Sequence, residues 1–188
     1  MSQERVDAYV FKLVLLGDFA VGKTSLIQRF VHNKFNTDYK LTIGVNVMTK
    51  MVNVDDLQCT LSIFDLAGQE KFRDIQDVFY VGTNAAIYVF DFTRPETLDN
   101  LIKWQGALFR GVRDDWGLVQ VLVGNKIDLE DQMLINPKEA EVKAFELGCT
   151  RFIQTSALTG EYVEEVFWYI SEKLVHQAIL LSAEFSDG

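Results

Sequence analysis

The chain of 188 residues is poor in the residue types that most often announce a site, with two cysteines, two histidines and two prolines. Cys59 and Cys149 stand far apart, with no C-x-x-C spacing and no histidines clustered near them. That pattern excludes a disulfide framework and a cysteine–histidine metal centre, and leads us to expect buried, reduced thiols in a reducing compartment. His32 and His176 are too isolated for catalysis and are expected at the surface. Basic residues are outnumbered: 18 Lys and Arg face 27 Asp and Glu, for a formal net charge of −9. This argues against nucleic-acid partners and acidic membrane surfaces, both of which recruit Lys and Arg. Long apolar runs are missing as well, and none approaches the roughly 20 residues of a membrane span. Met1 to Tyr9 is polar and lacks a signal-peptide core, so a cytoplasmic location is expected.

What is present has the size of one domain, with 48% apolar residues available for a core. We expect a single unit over residues 1–188, with flexible ends at 1–8 and 182–188. Strand-like runs occupy Val10–Leu16, Val45–Val54, Leu57–Asp65, Ala85–Asp91, Val119–Gly124 and Arg151–Thr155, with helix-like segments between most of them. The alternation predicts an α/β fold. Asn53, Asp55 and Asp56 interrupt the second and third strands, which suits a hairpin and one antiparallel strand in an otherwise parallel sheet.

Both prolines fall where helices begin. Thr93 with Glu96, and Asn136 with Glu139, read as capping boxes around Pro95 and Pro137, predicting helices over 94–110 and 137–147. Val163, Val166, Phe167, Ile170 and Leu174 recur at steps of three and four, the stripe of a helix packed on a sheet. Trp104, Trp116 and Trp168 are expected in core or groove packing, and Asp114-Asp115 in a solvated loop.

Residues 17–24 read G-x-x-x-x-G-K-T between a strand-like and a helix-like run. Gly17 and Gly22 allow the backbone to fold round a phosphate chain, so that successive N–H groups and a helix N-terminus face the anion. Asp18, Phe19, Ala20, Val21, Gly22, Lys23, Thr24 and Ser25 would form this cradle, Lys23 reaching the outer phosphates and the Thr24 hydroxyl ligating Mg²⁺. The third strand runs into Asp65-Leu66-Ala67-Gly68-Gln69-Glu70, whose leading carboxylate can hold Mg²⁺ beside the loop. The fifth runs into Asn125-Lys126-Ile127-Asp128 and the sixth into Ser156-Ala157-Leu158, all at one sheet edge.

Five motifs in this order resemble the Ras superfamily of small GTPases over residues 10 to 175, and Thr42-Ile43-Gly44-Val45 with Ala67 to Arg73 most resemble the Rab branch. The resemblance implies a three-layer P-loop fold of six strands and about five helices that binds GTP or GDP with Mg²⁺. It implies that Asp128 pairs with guanine ring nitrogens, which selects against adenine by leaving a buried charge unpaired. By the same resemblance Asn125 and Lys126 brace the base and its loop, Ala157 N–H meets the guanine carbonyl, and Ser156 and Leu158 complete that loop. Phe35 would pack edge-on against guanine. Thr42 would ligate Mg²⁺ only with the γ-phosphate present, and Gly68 would touch that phosphate, so hydrolysis releases both switch loops. Gln69 would orient the attacking water while Lys23 supplies charge. The segment 37–42 offers no arginine in cis, and in Ras an activator's arginine is worth roughly 10⁵-fold, so slow intrinsic turnover is expected.

Implied partners are an exchange factor, an activating protein and effectors, meeting loops 36–48 and 66–80 of a monomer. Departures from the family pattern are equally specific. Phe19 and Ala20 stand where a small residue and glycine are usual, which points to impaired or differently activated hydrolysis, or to a ring turned outward. Val47, Phe64 and Phe79 replace Phe, Trp and Tyr but keep the effector patch apolar. The sequence ends without a cysteine to prenylate, so peripheral membrane attachment requires a lipidated tail beyond it, the alternative being an unlipidated lineage. Two other readings remain: a nearly non-hydrolysing GTP-binding module, and a small-molecule P-loop kinase, a class that needs an acceptor site and usually an arginine-bearing lid, which the mostly apolar or acidic loops of this sequence do not supply.

Overall fold

The computed structural model describes residues 9–35, 42, 44–67, 77–112 and 117–186. Six strands form one sheet: β1 (Tyr9–Leu16), β2 (Val45–Val54), β3 (Leu57–Leu66), β4 (Ala85–Asp91), β5 (Val119–Asn125) and β6 (Arg151–Thr155). Each boundary falls within one residue of its expected place. The strand order is β2-β3-β1-β4-β5-β6, with β2 antiparallel to β3 and the other pairings parallel. Val54 pairs with Leu57 across Asp55-Asp56, where Asp55 takes the left-handed turn conformation at φ 51°.

Alternation along the strands feeds two cores, one on each face. Phe11, Leu13 and Leu15 of β1 enter one, and Val14 and Leu16 the other. All seven residues of β4 are buried, as its unbroken apolar run requires of a strand covered on both faces. Helices α1 (Lys23–His32) and α6 (Val163–Ser186) cover the first face, where Phe30 and Phe167 stack with centroids 3.9 Å apart. Such a pair adds about 1 kcal/mol beyond the area it buries. Val163, Val166, Phe167, Ile170 and Leu174 all lie in that core, as their spacing predicts.

The second face is covered by α2 (Asp77–Tyr80), α3 (Pro95–Asp99), α4 (Leu101–Gly111) and α5 (Pro137–Glu146). The helix expected over 94–110 is thus divided at Asn100. The Asn100 carbonyl accepts from both Lys103 and Trp104 N–H, a tightened turn, while its side-chain amide is drawn away to Asp18. Thr93 does not cap α3: its hydroxyl and N–H both donate to Asp91 Oδ1, at 2.7 and 2.9 Å, and Arg94 at the cap position makes no side-chain cap bond. The nearby buried carboxylate outcompetes the helix end for Thr93. Asn136 does cap α5, accepting from Lys138 N–H at 2.9 Å.

Trp104 is core, but Trp168 is 47% exposed on α6, so core packing holds for the first and not the second. Trp116, Asp114 and Asp115 lie outside the described residues, as does the N-terminal stretch 1–8. His32 and His176 are exposed, Cys59 is buried and Cys149 half-buried, and both thiols are free. Among the described residues, no helix is long and apolar enough to cross a membrane.

Candidate functional site

The carboxyl ends of β1, β3, β4, β5 and β6 meet at one sheet edge, and the direction of strand progression reverses about β1. In open α/β sheets a ligand binds at such a reversal. The loop after β1 is held close to its neighbours: a Cβ on Gly17 would lie 2.2 Å from the Val89 carbonyl oxygen, and one on Gly22 2.2 Å from Asn125 Nδ2. Gly22 is also left-handed at φ 102° and caps α1 without a side-chain acceptor, leaving first-turn N–H groups available to an anion.

Lys23 Nζ arches back over this loop, donating to the carbonyls of Gly17 at 2.7 Å and Asp18 at 3.0 Å. Burial pushes its ammonium down to about 8, against the pull of the Asp65 and Asp18 carboxylates, and the Arg94 guanidinium adds to the depression. A bound polyphosphate would reverse that penalty by pairing the buried charge. Val21 is fully buried, Ser25 is half-buried, and Ala20 has φ 60°.

Beside Lys23, the Thr24 hydroxyl donates to Asp65 Oδ2 at 2.6 Å and lies 2.8 Å from the Thr42 hydroxyl. A hydroxyl has one proton, so Thr42 donates to Thr24. Burial raises the Asp65 carboxyl, while Thr24 and Lys23 lower it; its Oδ1 is buried and unpartnered among the described residues. Two hydroxyls and an orphaned carboxylate oxygen are hard oxygen donors, a set that fits Mg²⁺. The expected ligands Thr24, Thr42 and Asp65 are therefore brought together.

The base side is organised by Asn125. Its Nδ2 donates to Val21 O at 2.9 Å, and its Oδ1 accepts from Ala157 N–H at 3.1 Å and from the Thr155 hydroxyl at 3.2 Å. One buried amide so joins the phosphate loop, β6 and the loop after it. Asp128 accepts from the Ser156 hydroxyl at 2.5 Å, and Lys126, left-handed at φ 72°, places Nζ 2.6 Å from Asp91 Oδ2. Leu158 is 47% exposed at the rim. Phe35 is half-buried against the α1–α6 core. Gly68 and Gln69 lie outside the described residues.

A family profile described as the Ras family matches residues 12–176. The chain belongs to the Ras family. It is 39% identical to "Ras-related protein RABA5b" of Arabidopsis thaliana over 88% of this chain and 75% of that one. It is 40% identical to "GTP-binding protein ypt3" of Schizosaccharomyces pombe over 89% of this chain and 77% of that one. With "Ras-related protein Rab11B" of Nicotiana tabacum it shares 42% identity, over 85% and 72% respectively. As a Ras-family protein of Rab-like sequence, it is a small GTPase that binds guanine nucleotide through its P-loop.

Several residues that position this Ras-family site carry no motif. Asp91 gathers Thr93, Arg94 and Lys126; Arg94 Nε lies 3.1 Å from Asp91 Oδ2 and its Nη2 donates to the Phe19 carbonyl at 2.8 Å. An arginine thus supports the phosphate loop from the turn between β4 and α3, outside segment 37–42. Asp18 is held by Asn100 Nδ2 at 2.8 Å and Trp104 Nε1 at 2.7 Å. Phe19 itself is 41% exposed. On the sheet surface Val47 pairs in register with Phe64, whose ring lies 4.4 Å beneath the Lys12 ammonium, and Phe79 packs half-buried on the second core.

Proposed function

We propose that the protein is a guanine-nucleotide switch with a Rab-like role in trafficking or signalling, binding Mg²⁺ with GTP or GDP and hydrolysing GTP slowly without an activator. The observation that carries this reading is the Asn125 amide, which joins the phosphate loop to the loop bearing Ala157. Base and phosphates would then be held by one rigid unit, with Asp128, preset by Ser156, facing the guanine ring nitrogens. Lys126 would brace the ring with its stem while Asp91 fixes its ammonium. Thr24, Thr42 and Asp65 would hold Mg²⁺, which when bound supplies positive charge to the phosphates. Lys23 would stabilise charge on the outer phosphates, and Gln69 would orient the attacking water.

Thr42 and Gly68 would lose their γ-phosphate contacts on hydrolysis, so loops 36–48 and 66–80 become the surfaces read by effectors, exchange factor and activator. The half-exposed Val47 beside Phe64 supports an apolar effector patch there. Identification of the copurifying nucleotide, followed by single-turnover phosphate release with Mg²⁺, tests the reading. Guanine nucleotide and slow release are expected; adenine nucleotide, or rapid release without a partner, overturns it.

A second reading, a nearly non-hydrolysing module turned over by exchange, draws on Phe19, whose bulk stands in the phosphate loop. Phe19→Gly separates the two. Faster basal or stimulated phosphate release implicates the ring in the turn-off step, and an unchanged rate rejects that role.

A further inference from the structure

We infer that Arg29, which belongs to no nucleotide motif, is the positioning residue that sets base discrimination by fixing the Ala157–Leu158 peptides from behind. Its Nε donates to Ala157 O at 3.0 Å and its Nη2 to Leu158 O at 2.5 Å, across more than a hundred residues of sequence. Its Nη1 reaches Asn33 O at 3.4 Å and Asn33 Oδ1 at 3.3 Å, and Asn33 is the left-handed cap that ends α1. The planar fork suits this task, because its donors diverge in fixed directions.

The geometry divides the labour on the base loop. Its inner side is held by Asn125 on Ala157 N–H and by Asp128 on Ser156. Its outer side is held by Arg29 on the next two carbonyls. Two successive peptide planes that meet at the Ala157 Cα are thus each tethered, the Ser156–Ala157 plane by Asn125 at its N–H and the Ala157–Leu158 plane by Arg29 at its carbonyl, so Arg29 limits where Ala157 N–H can point through the shared Cα. Loss of the Arg29 tether frees the Ala157 Cα, and the Ser156–Ala157 plane can then turn its donor off a ring oxygen while contacts to other ring edges stay in place.

Arg29 also sits on α1, whose first residues Lys23 and Thr24 serve the phosphates. Six residues along a helix span about 9 Å, so α1 acts as a rigid ruler between cradle and base loop. Gly160 supports the contact: a Cβ there would approach Arg29 Cδ to 3.4 Å, and φ 91° favours glycine. Arg29 also lines an open cleft of about 590 Å³, with His32, Lys50, Tyr162 and Glu164 among others.

This inference rests on the guanine reading above, in which Ala157 N–H meets the 6-oxo group. The test compares GDP with 2-aminopurine riboside diphosphate, which lacks that oxygen, in affinity and dissociation rate with Mg²⁺ present. Wild-type protein is expected to prefer GDP. Arg29→Ala is expected to weaken GDP at least about tenfold, the scale of one lost charge-assisted hydrogen bond, and the analogue much less, so the preference shrinks. Arg29→Lys, with a single ammonium for two carbonyls, is expected in between, and supplies the comparison if the alanine variant fails to fold. Equal weakening of both ligands, or none, assigns Arg29 a merely structural part and overturns the inference. A wild-type protein that does not prefer GDP overturns the guanine reading itself, a result visible before any variant is made.

Discussion

Trp104 Nε1 donates a 2.7 Å hydrogen bond to Asp18 Oδ1, fastening the phosphate loop to α4 across 86 residues of sequence. The indole is 1% exposed, and Asn100 Nδ2 takes the other carboxylate oxygen at 2.8 Å. Both lone-pair faces of Asp18 are thereby directed into the protein, leaving the loop's backbone to face the ligand.

Replacing Trp104 by Phe keeps most of the apolar volume and removes the donor. A hydrogen bond to a charged group is worth about 1.5–3 kcal/mol, and the larger ring leaves a small void. We expect a loss of about that size in urea unfolding, with an unchanged m-value, together with faster GDP dissociation. An unchanged midpoint would show that the indole bond is dispensable.

Asp91 gives the stability curve an acid limb. Burial alone would raise its carboxyl, but the Lys126 ammonium and the two bonds from Thr93 outweigh it and hold the group below its ordinary value of 3.8. The folded state then binds the proton less tightly than the unfolded one. The stabilisation is complete above about pH 4 and is lost as pH falls through the folded value. Asp91→Asn is expected to flatten stability against pH in that window, and to lower stability at pH 7 by about 1–3 kcal/mol. Denaturation midpoints between pH 2 and 7 measure both effects, and parallel curves for the two proteins would contradict the assignment.

Ala20 pays a conformational cost that its sequence context conceals. At φ 60° its Cβ crowds the following carbonyl, a strain of about 1–2 kcal/mol, whereas glycine adopts this region freely. Glycine also has a more disordered unfolded state, which offsets about 0.4–1 kcal/mol. Ala20→Gly should therefore stabilise by about 0.5–1 kcal/mol net, raising the melting temperature by a few degrees in calorimetry. A lower melting temperature would show that the methyl group packs favourably.

Gly124 stands where β5 turns into the base motif. A Cβ there would come within 2.4 Å of Phe92 Cε2 and 2.6 Å of Phe90 Cζ, and these rings pack edge-on with centroids 4.9 Å apart. Overpacking of this kind costs about 1–3 kcal/mol. Gly124→Ala is expected to lower the urea midpoint accordingly, and a midpoint equal to wild type would mean that the rings yield at no cost.

The strands were legible in sequence because period and apolar run length are local properties, and the β2–β3 hairpin because two aspartates interrupt the pattern. The cradle and base motif were legible for a different reason: glycine spacing and carboxylate placement encode backbone geometry within a few residues. What escaped is long-range. Asp91 reads as the last residue of an apolar strand, yet it collects three partners and takes Thr93 from its expected cap. Arg29 and Trp104 sit in ordinary helical stripes, and nothing nearby indicates that one reaches Ala157 and the other Asp18. Asn100 divides a helix because its amide is needed elsewhere, a demand no propensity registers.

The close approach of Gly17 to Val89 and of Gly22 to Asn125 decides which residues this loop can carry. Any larger residue at either position collides with a strand or with the amide that joins the two halves of the site. Val21 is sealed in the core and Asp18 is bound on both oxygens. Between these four anchors the Phe19 side chain is exposed while its carbonyl is held by Arg94, and Ala20 is half-buried. Exchanging Phe19 or Ala20 would leave the close approaches at Gly17 and Gly22 untouched, so the exposed tip of the loop can be altered without dismantling the frame beneath.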